Sequence, residues 1–192
     1  ATVTTGPLNT ADRKKIFDVV GAPGYTETGL VNSITNTIPF FNTLKANATQ
    51  LAAFNNLFGT TITSGTDFNT LPDATKQLFF GLTGDPLFNQ TNFLNAVVPT
   101  SNLFNALKAN TAQRNAYNLV FGTTITTGAL IAVDRASLFG VAAVTTFNQT
   151  NFLTALINVS NLLTALQANG TLLTQFNNIF ATTIPASGSP SA

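Results

Sequence analysis

The chain repeats itself, and that recurrence restricts its fold more than any other feature of the sequence. Leu44-Lys45-Ala46-Asn47, leading to Phe54-Asn55-Asn56-Leu57-Phe58-Gly59-Thr60-Thr61-Ile62-Thr63, returns once as Leu107-Lys108-Ala109-Asn110. That copy leads to Tyr117-Asn118-Leu119-Val120-Phe121-Gly122-Thr123-Thr124-Ile125-Thr126. A third copy runs from Leu166-Gln167-Ala168-Asn169 to Phe176-Asn177-Asn178-Ile179-Phe180-Ala181-Thr182-Thr183-Ile184. A second block, Phe88-Asn89-Gln90-Thr91-Asn92-Phe93-Leu94, recurs as Phe147-Asn148-Gln149-Thr150-Asn151-Phe152-Leu153. An aspartate opens each unit, at Asp12, Asp73 and Asp134, 61 residues apart both times. This frame divides the chain into a connector segment 1–11, repeats 12–72, 73–133 and 134–184, and a flexible tail 185–192.

Each repeat reads as helical. Asp12, Asp73 and Asp134 stand just before apolar stretches, where a carboxylate accepts the free N–H groups of a first helical turn. In the middle block Phe152, Leu156, Val159, Leu163 and Leu166 are spaced four, three, four and three, which is one face of a helix. In the last block Leu51, Phe54 and Phe58 keep the same rhythm, with Asn47 placed to cap them. Thr and Asn are mediocre helix formers, so packing of the Phe/Leu faces has to hold these helices. The run Thr-Thr-Ile-Thr-x-Gly, at 60–65 and 123–128, breaks the helical period and favours a short extended segment closed by a turn. The predicted fold is all-α: three tandem repeats of about 61 residues, each of three helices, joined by short extended Thr-rich connectors.

The phase of the repeats bears on function. Thr2-Val3-Thr4-Thr5-Gly6-Pro7-Leu8 aligns without a gap on Thr124-Ile125-Thr126-Thr127-Gly128-Ala129-Leu130. The sequence thus opens on the tail of a unit it does not contain. Stacked repeats need polar caps at both ends, yet no charged residue occurs from Ala136 to Ala192. An end that lacks a cap and a start in mid-connector predict head-to-tail contact between chains. Thr2, Val3 and Thr4 would stand on one side of it, and Thr182, Thr183 and Ile184 on the other. Such contacts build filaments when they do not close into a ring.

Composition removes most chemistry. The 192 residues include no His, Cys, Met or Trp, so imidazole bases, thiolates and disulfides are absent. Only 8% of residues are charged and the net charge is +1, which leaves no electrostatic footprint for a nucleic acid. The sole basic cluster, Arg13-Lys14-Lys15, reads as a solvated helix face. No Walker or dinucleotide loop occurs, and no calcium loop pattern. No enzyme activity, cofactor or metal is predicted. Apolar runs are interrupted well short of the roughly 18 residues a spanning helix needs, so no membrane span is predicted either.

Solvation rests on 33 Thr and 23 Asn, whose side chains hydrogen-bond without titrating. Five Asn-x-Ser/Thr sequons, at Asn47, Asn89, Asn148, Asn158 and Asn169, are candidate glycosylation sites. In a chain this rich in Asn and Thr, roughly five are expected by chance, so their number carries no weight. The absence of oxidisable residues and an opening Ala-Thr-Val-Thr-Thr that reads as a processed N-terminus suggest a secreted chain. The functional expectation is a structural subunit of an extracellular filament, sheath or surface layer. Its partner would be itself, with glycans attached. The alternative is a secreted helical module that binds a hydrophobic ligand or surface.

Overall fold

The computed structural model describes residues 26–187. Among these it is all-helical, with eight α-helices and no strand. The helices are α1 (Glu27–Ala46), α2 (Ala48–Phe58), α3 (Asp73–Gly84), α4 (Gln90–Ala109), α5 (Thr111–Phe121), α6 (Ala132–Ala142), α7 (Gln149–Gln167) and α8 (Gly170–Phe180). A single 3₁₀ turn, Phe68–Thr70, precedes α3. The Thr-rich segments after α2 and α5 are non-helical and close in a turn and a bend, as their composition predicts.

The recurring segments take recurring local forms. Asn47, Asn89, Asn110, Asn148 and Asn169 are N-cap residues with extended backbones, and each side chain accepts an N–H of the following first turn. An Asn cap of this kind stabilises a helix by about 1 kcal/mol. At the other end, α2 and α5 stop at Gly59 and Gly122 in the left-handed region, φ 66° and 63°. In α8 the same position holds Ala181 at φ 53°, where a Cβ costs roughly 1–2 kcal/mol.

Beyond each of these stops the chain is tied back by one asparagine. Asn55 donates from Nδ2 to the Ile62 carbonyl at 2.8 Å, and its Oδ1 accepts from the Ile62 N–H and the Thr60 hydroxyl at 3.1 and 2.6 Å. Asn118 does the same with Ile125 and Thr123, and Asn177 with Ile184 and Thr182. Each clamp satisfies polar groups that a non-helical connector would otherwise carry inward with its isoleucine. Ile62 and Ile125 are buried as a result.

The described residues form two compact units. One comprises those up to Thr43 together with Thr66–Phe88, and the other comprises Leu44–Gly65 and those from Asn89 on. In the first, Phe40 and Phe41 of α1 close around Phe79 of α3 at ring separations of 5.7 and 5.3 Å, with Phe68 and Phe88 at the margins. Ser33 and Thr37 of α1 bond to the Phe80 carbonyl and the Thr83 hydroxyl of α3, at 2.9 and 2.8 Å. A Cβ on Gly84 would strike the Ser33 hydroxyl, so glycine is what lets the two helices approach.

In the second unit α2 and α6 pack on α4, and α5 packs on α7. Phe54 and Phe58 of α2 meet Phe93 of α4, and Phe139 of α6 stacks on Phe93 at 5.3 Å. Arg135 lies over the Phe58 ring. Tyr117 and Phe121 of α5 repeat the first contact against Phe152 of α7.

The aspartate frame does not match the helix register. Asp73 is the first residue of α3, with Pro72 at the cap position. Asp134 is the third residue of α6, with Ile131 at the cap, and neither cap residue makes a side-chain bond. Helix starts recur 63 residues apart from α2 to α5 and then 59 apart from α5 to α8. The even spacing of 61 is the mean of two unequal steps, and the two aspartates are not counterparts. Asp12 lies outside the described residues.

Candidate functional site

The positions that seal α4 are open on α7. Thr100, Leu103, Phe104 and Leu107 of α4 are fully buried or nearly so. Their counterparts on α1, Thr37, Phe40, Phe41 and Leu44, are equally buried. On α7 the counterparts are Val159, Leu162, Leu163 and Leu166, and here Val159 and Leu162 are 48% and 51% exposed. The expected face of α7 is therefore only partly sealed: Leu156, Leu163 and Leu166 are buried, while Val159 is not.

The short helices show the same loss. Leu57 of α2 is 1% exposed, and its counterpart on α8, Ile179, is 74% exposed. Phe58 is half-buried against Phe93 and Phe139, Phe121 touches Phe152 but is 39% exposed, and Phe180 of α8, beside Phe176, is 61% exposed. Leu172 at the start of α8 is exposed as well. Behind this surface a pocket of about 160 Å³ opens among Val120, Val159, Leu162, Phe176 and Ile184. Its walls are apolar, and no charged residue occurs from Ala136 to Ala192, the stretch that supplies all of the lining but Val120. Such a surface can bury apolar area against a partner.

The residues anticipated for self-association divide between clamp and solvent. Thr182 and Ile184 belong to the Asn177 clamp and are half-buried, while Thr183 is exposed. Thr2, Val3 and Thr4 lie outside the described residues. All five sequon asparagines are exposed. Four of them, Asn47, Asn89, Asn148 and Asn169, are the helix caps above, with Oδ1 engaged, whereas a glycan attaches through the amide nitrogen. Asn158 sits within α7. Asn110 caps α5 in the same way without a sequon, so capping accounts for the recurrent asparagine by itself.

The described acidic residues are dispersed, and no group of three or more potential metal ligands gathers among them. Asp67 and Asp85 accept backbone N–H bonds from Asn69 and Leu87, and Asp73 lies 3.6 Å from Lys76. Asp134 is turned inward, where it accepts from the N–H and hydroxyl of Thr124 at 3.1 and 3.2 Å. It anchors a connector rather than a helix start. The neighbouring Tyr117 phenol is pushed up to about 12, chiefly by burial, against the lowering effect of its 2.9 Å bond to Ser137. Burial also lowers Arg135.

Polar contacts between helices are made by amides and hydroxyls together with the Lys108 ammonium and the Arg114 guanidinium, which donates to the Leu107 and Lys108 carbonyls. Asn56 of α2 donates to Ser101 and Asn105 of α4 and accepts from Lys108, all within 3.1 Å. These side chains edge a shallow trough of about 440 Å³ between α2 and α4. Among the described residues, no helix is long and apolar enough to cross a membrane.

Sequence reasoning located the recurrence but not the open face on α1, where Val31, Ile34 and Ile38 are 53%, 61% and 44% exposed. Their spacing of three and four was a legible signal, and the stripe runs on to Phe41, three residues beyond Ile38, where it becomes buried. Comparison with protein-family models, with curated proteins and with solved structures gives no match.

Proposed function

We propose that the chain is a structural, non-enzymatic subunit built from three tandem helical repeats that joins head to tail into an extracellular filament, sheath or surface layer. The observation that carries this reading is the uncovered apolar face of α7 and α8, because the same positions in α4 and α2 are sealed by neighbouring helices. Large apolar side chains left exposed on two helices in mutual contact mark a place of association. The contacts expected there are apolar, Thr and Asn side chains, which avoid the desolvation cost of burying ions. Ile184 lines the pocket behind this face, Thr182 and Thr183 precede it in the chain, and Thr2, Val3 and Thr4 carry the matching connector sequence. Secretion and glycans at Asn47, Asn89, Asn148, Asn158 or Asn169 belong to the same reading, supported by exposure of all five and by the absence of thiols.

The pocket of about 160 Å³ favours a second reading, a helical module that takes up a hydrophobic ligand. Electron microscopy of the purified chain in low and high salt separates the two. Filaments that persist at both salt concentrations are expected for the structural subunit. Dispersed single particles that gain thermal stability with a fatty acid or detergent would replace it with the ligand-binding module.

A further inference from the structure

We infer that the filament contact is made by α8 of one copy against α1 of the next, in the register that α2 already adopts on α4. The inference rests on the head-to-tail reading above and assigns its two surfaces. Inside the chain one kind of helix pair occurs twice: α2 lies on α4 and α5 lies on α7, with an aromatic pair of the short helix set against a phenylalanine of the long one. That pairing has a donor face and a receiving face. Among the described residues each of them occurs once more without a cover.

The short helix of the pair is α8, which exposes Leu172, Ile179 and Phe180 at the positions of Gln50, Leu57 and Phe58 in α2. The long helix is α1, whose Val31, Ile34 and Ile38 stand where α4 has Leu94, Val97 and Ser101. Those three α4 positions are no more than 9% exposed. Leu94 and Ser101 hydrogen-bond to α2: Gln50 donates to the Leu94 carbonyl, and Asn56 to the Ser101 hydroxyl at 2.8 Å. In the proposed contact the polar half of that pair changes character. Gln50 is replaced by Leu172 and Ser101 by Ile38, so the free faces are more apolar than the internal one they copy. Two surfaces that each expose large aliphatic residues, at positions that pack together elsewhere in the same chain, are complementary by construction. A second copy supplies the missing cover at both ends, and this is a heterologous contact that propagates.

The absence of cysteine allows a direct test. Asn178 is the counterpart of Asn56, and Ile38 of Ser101, so these two side chains should meet between copies. Single variants Ile38→Cys and Asn178→Cys are mixed in equal amounts, allowed to assemble and treated with a short bis-maleimide. A covalent dimer is expected from the mixture, and a ladder of multiples from the double variant. The pair Asn36→Cys and Asn178→Cys, with Asn36 on another side of α1, should give neither. Ile34→Asp should abolish assembly with an unchanged circular dichroism spectrum, since Ile34 is exposed in the single chain.

Filaments that survive Ile34→Asp, or that form without a cross-link between positions 38 and 178, overturn the register and leave the filament reading standing. A cross-link only within single chains, seen as a faster-migrating monomer of the double variant, also overturns it. A parent chain that forms no assemblies in the microscope fails the filament reading itself, and this inference with it.

Discussion

Helices α2 and α8 are the same element placed in different company. Both are eleven residues long, begin at an asparagine cap, stop at a left-handed residue and are tied to an isoleucine seven positions beyond a clamp asparagine. Yet α2 buries Leu51, Ala53, Phe54 and Leu57, while α8 buries Leu173 alone. Local hydrogen bonding therefore decides where these helices start and stop, and neighbours decide whether their apolar faces are sealed. The two levels are separable here because one chain contains both cases.

Truncating the shared aromatic position tests that separation with the largest effect. Phe54→Ala should cost about 3–5 kcal/mol, the range for a buried phenylalanine, and Phe176→Ala less than half of that, because its side chain is only half-buried. Equal urea midpoints for the two variants would mean that α8 is sealed in solution.

The clamps come next. Asn118→Ala leaves the N–H and carbonyl of buried Ile125 without their partner and should cost about 2–3 kcal/mol. Asn177→Ala should cost about 1 kcal/mol, since half-exposed Ile184 can turn its backbone to water. Chemical denaturation of both variants at matched concentration reads the difference.

A third test sharpens what is particular to α5, whose counterpart of Phe54 is Tyr117. An unfolded tyrosine titrates near 10 and this one at about 12, so the folded state holds the proton longer. Below pH 10 the group contributes no slope. Between 10 and 12 stability should fall as pH rises, by about 2–3 kcal/mol over the window. The decline should be shallower in Tyr117→Phe, compared by urea midpoints at either end of that window.

Two smaller effects have the opposite sign. Thr37 and Thr83 share a buried hydrogen bond, but Thr100, the counterpart of Thr37, has a buried hydroxyl with no partner among the described residues. The third copy carries Val159 there, and Thr100→Val should stabilise by about 1–2 kcal/mol. Ala181→Gly should add about 1 kcal/mol by relieving the left-handed alanine, and Gly122→Ala should remove a similar amount. Thermal melts resolve both. A neutral Ala181→Gly would mean that the last turn of α8 frays before the clamp releases.

Much of the helical content was legible in the amino-acid order, because Phe152, Leu156, Leu163 and Leu166 keep a helical period and Asn47 precedes another. The frame was misread where a letter stood in for a position. Asp73 and Asp134 recur at an even interval that conceals steps of 63 and 59, and their neighbours Pro72 and Ile131 occupy the caps. The clamps were invisible for a related reason. Asn55, Asn118 and Asn177 read as three more members of a polar surplus, since nothing local distinguishes a solvated amide from one that bonds seven residues ahead. Exposure at Val159, Ile179 and Phe180 was hidden by the very periodicity that identified their helices. Period places a side chain on an apolar face and says nothing about whether another element covers it.

The clamp also has a mechanical consequence. Its three side-chain bonds converge on one amide and span the connector that leaves each short helix. Tension along the backbone would load them together, as a rivet is loaded in shear, instead of peeling them one after another. Resistance to forced unfolding is governed by the unfolding rate, and bonds that must fail in concert slow it. A chain pulled by its ends should accordingly resist longer than one carrying Asn118→Ala, as force spectroscopy of the two would read.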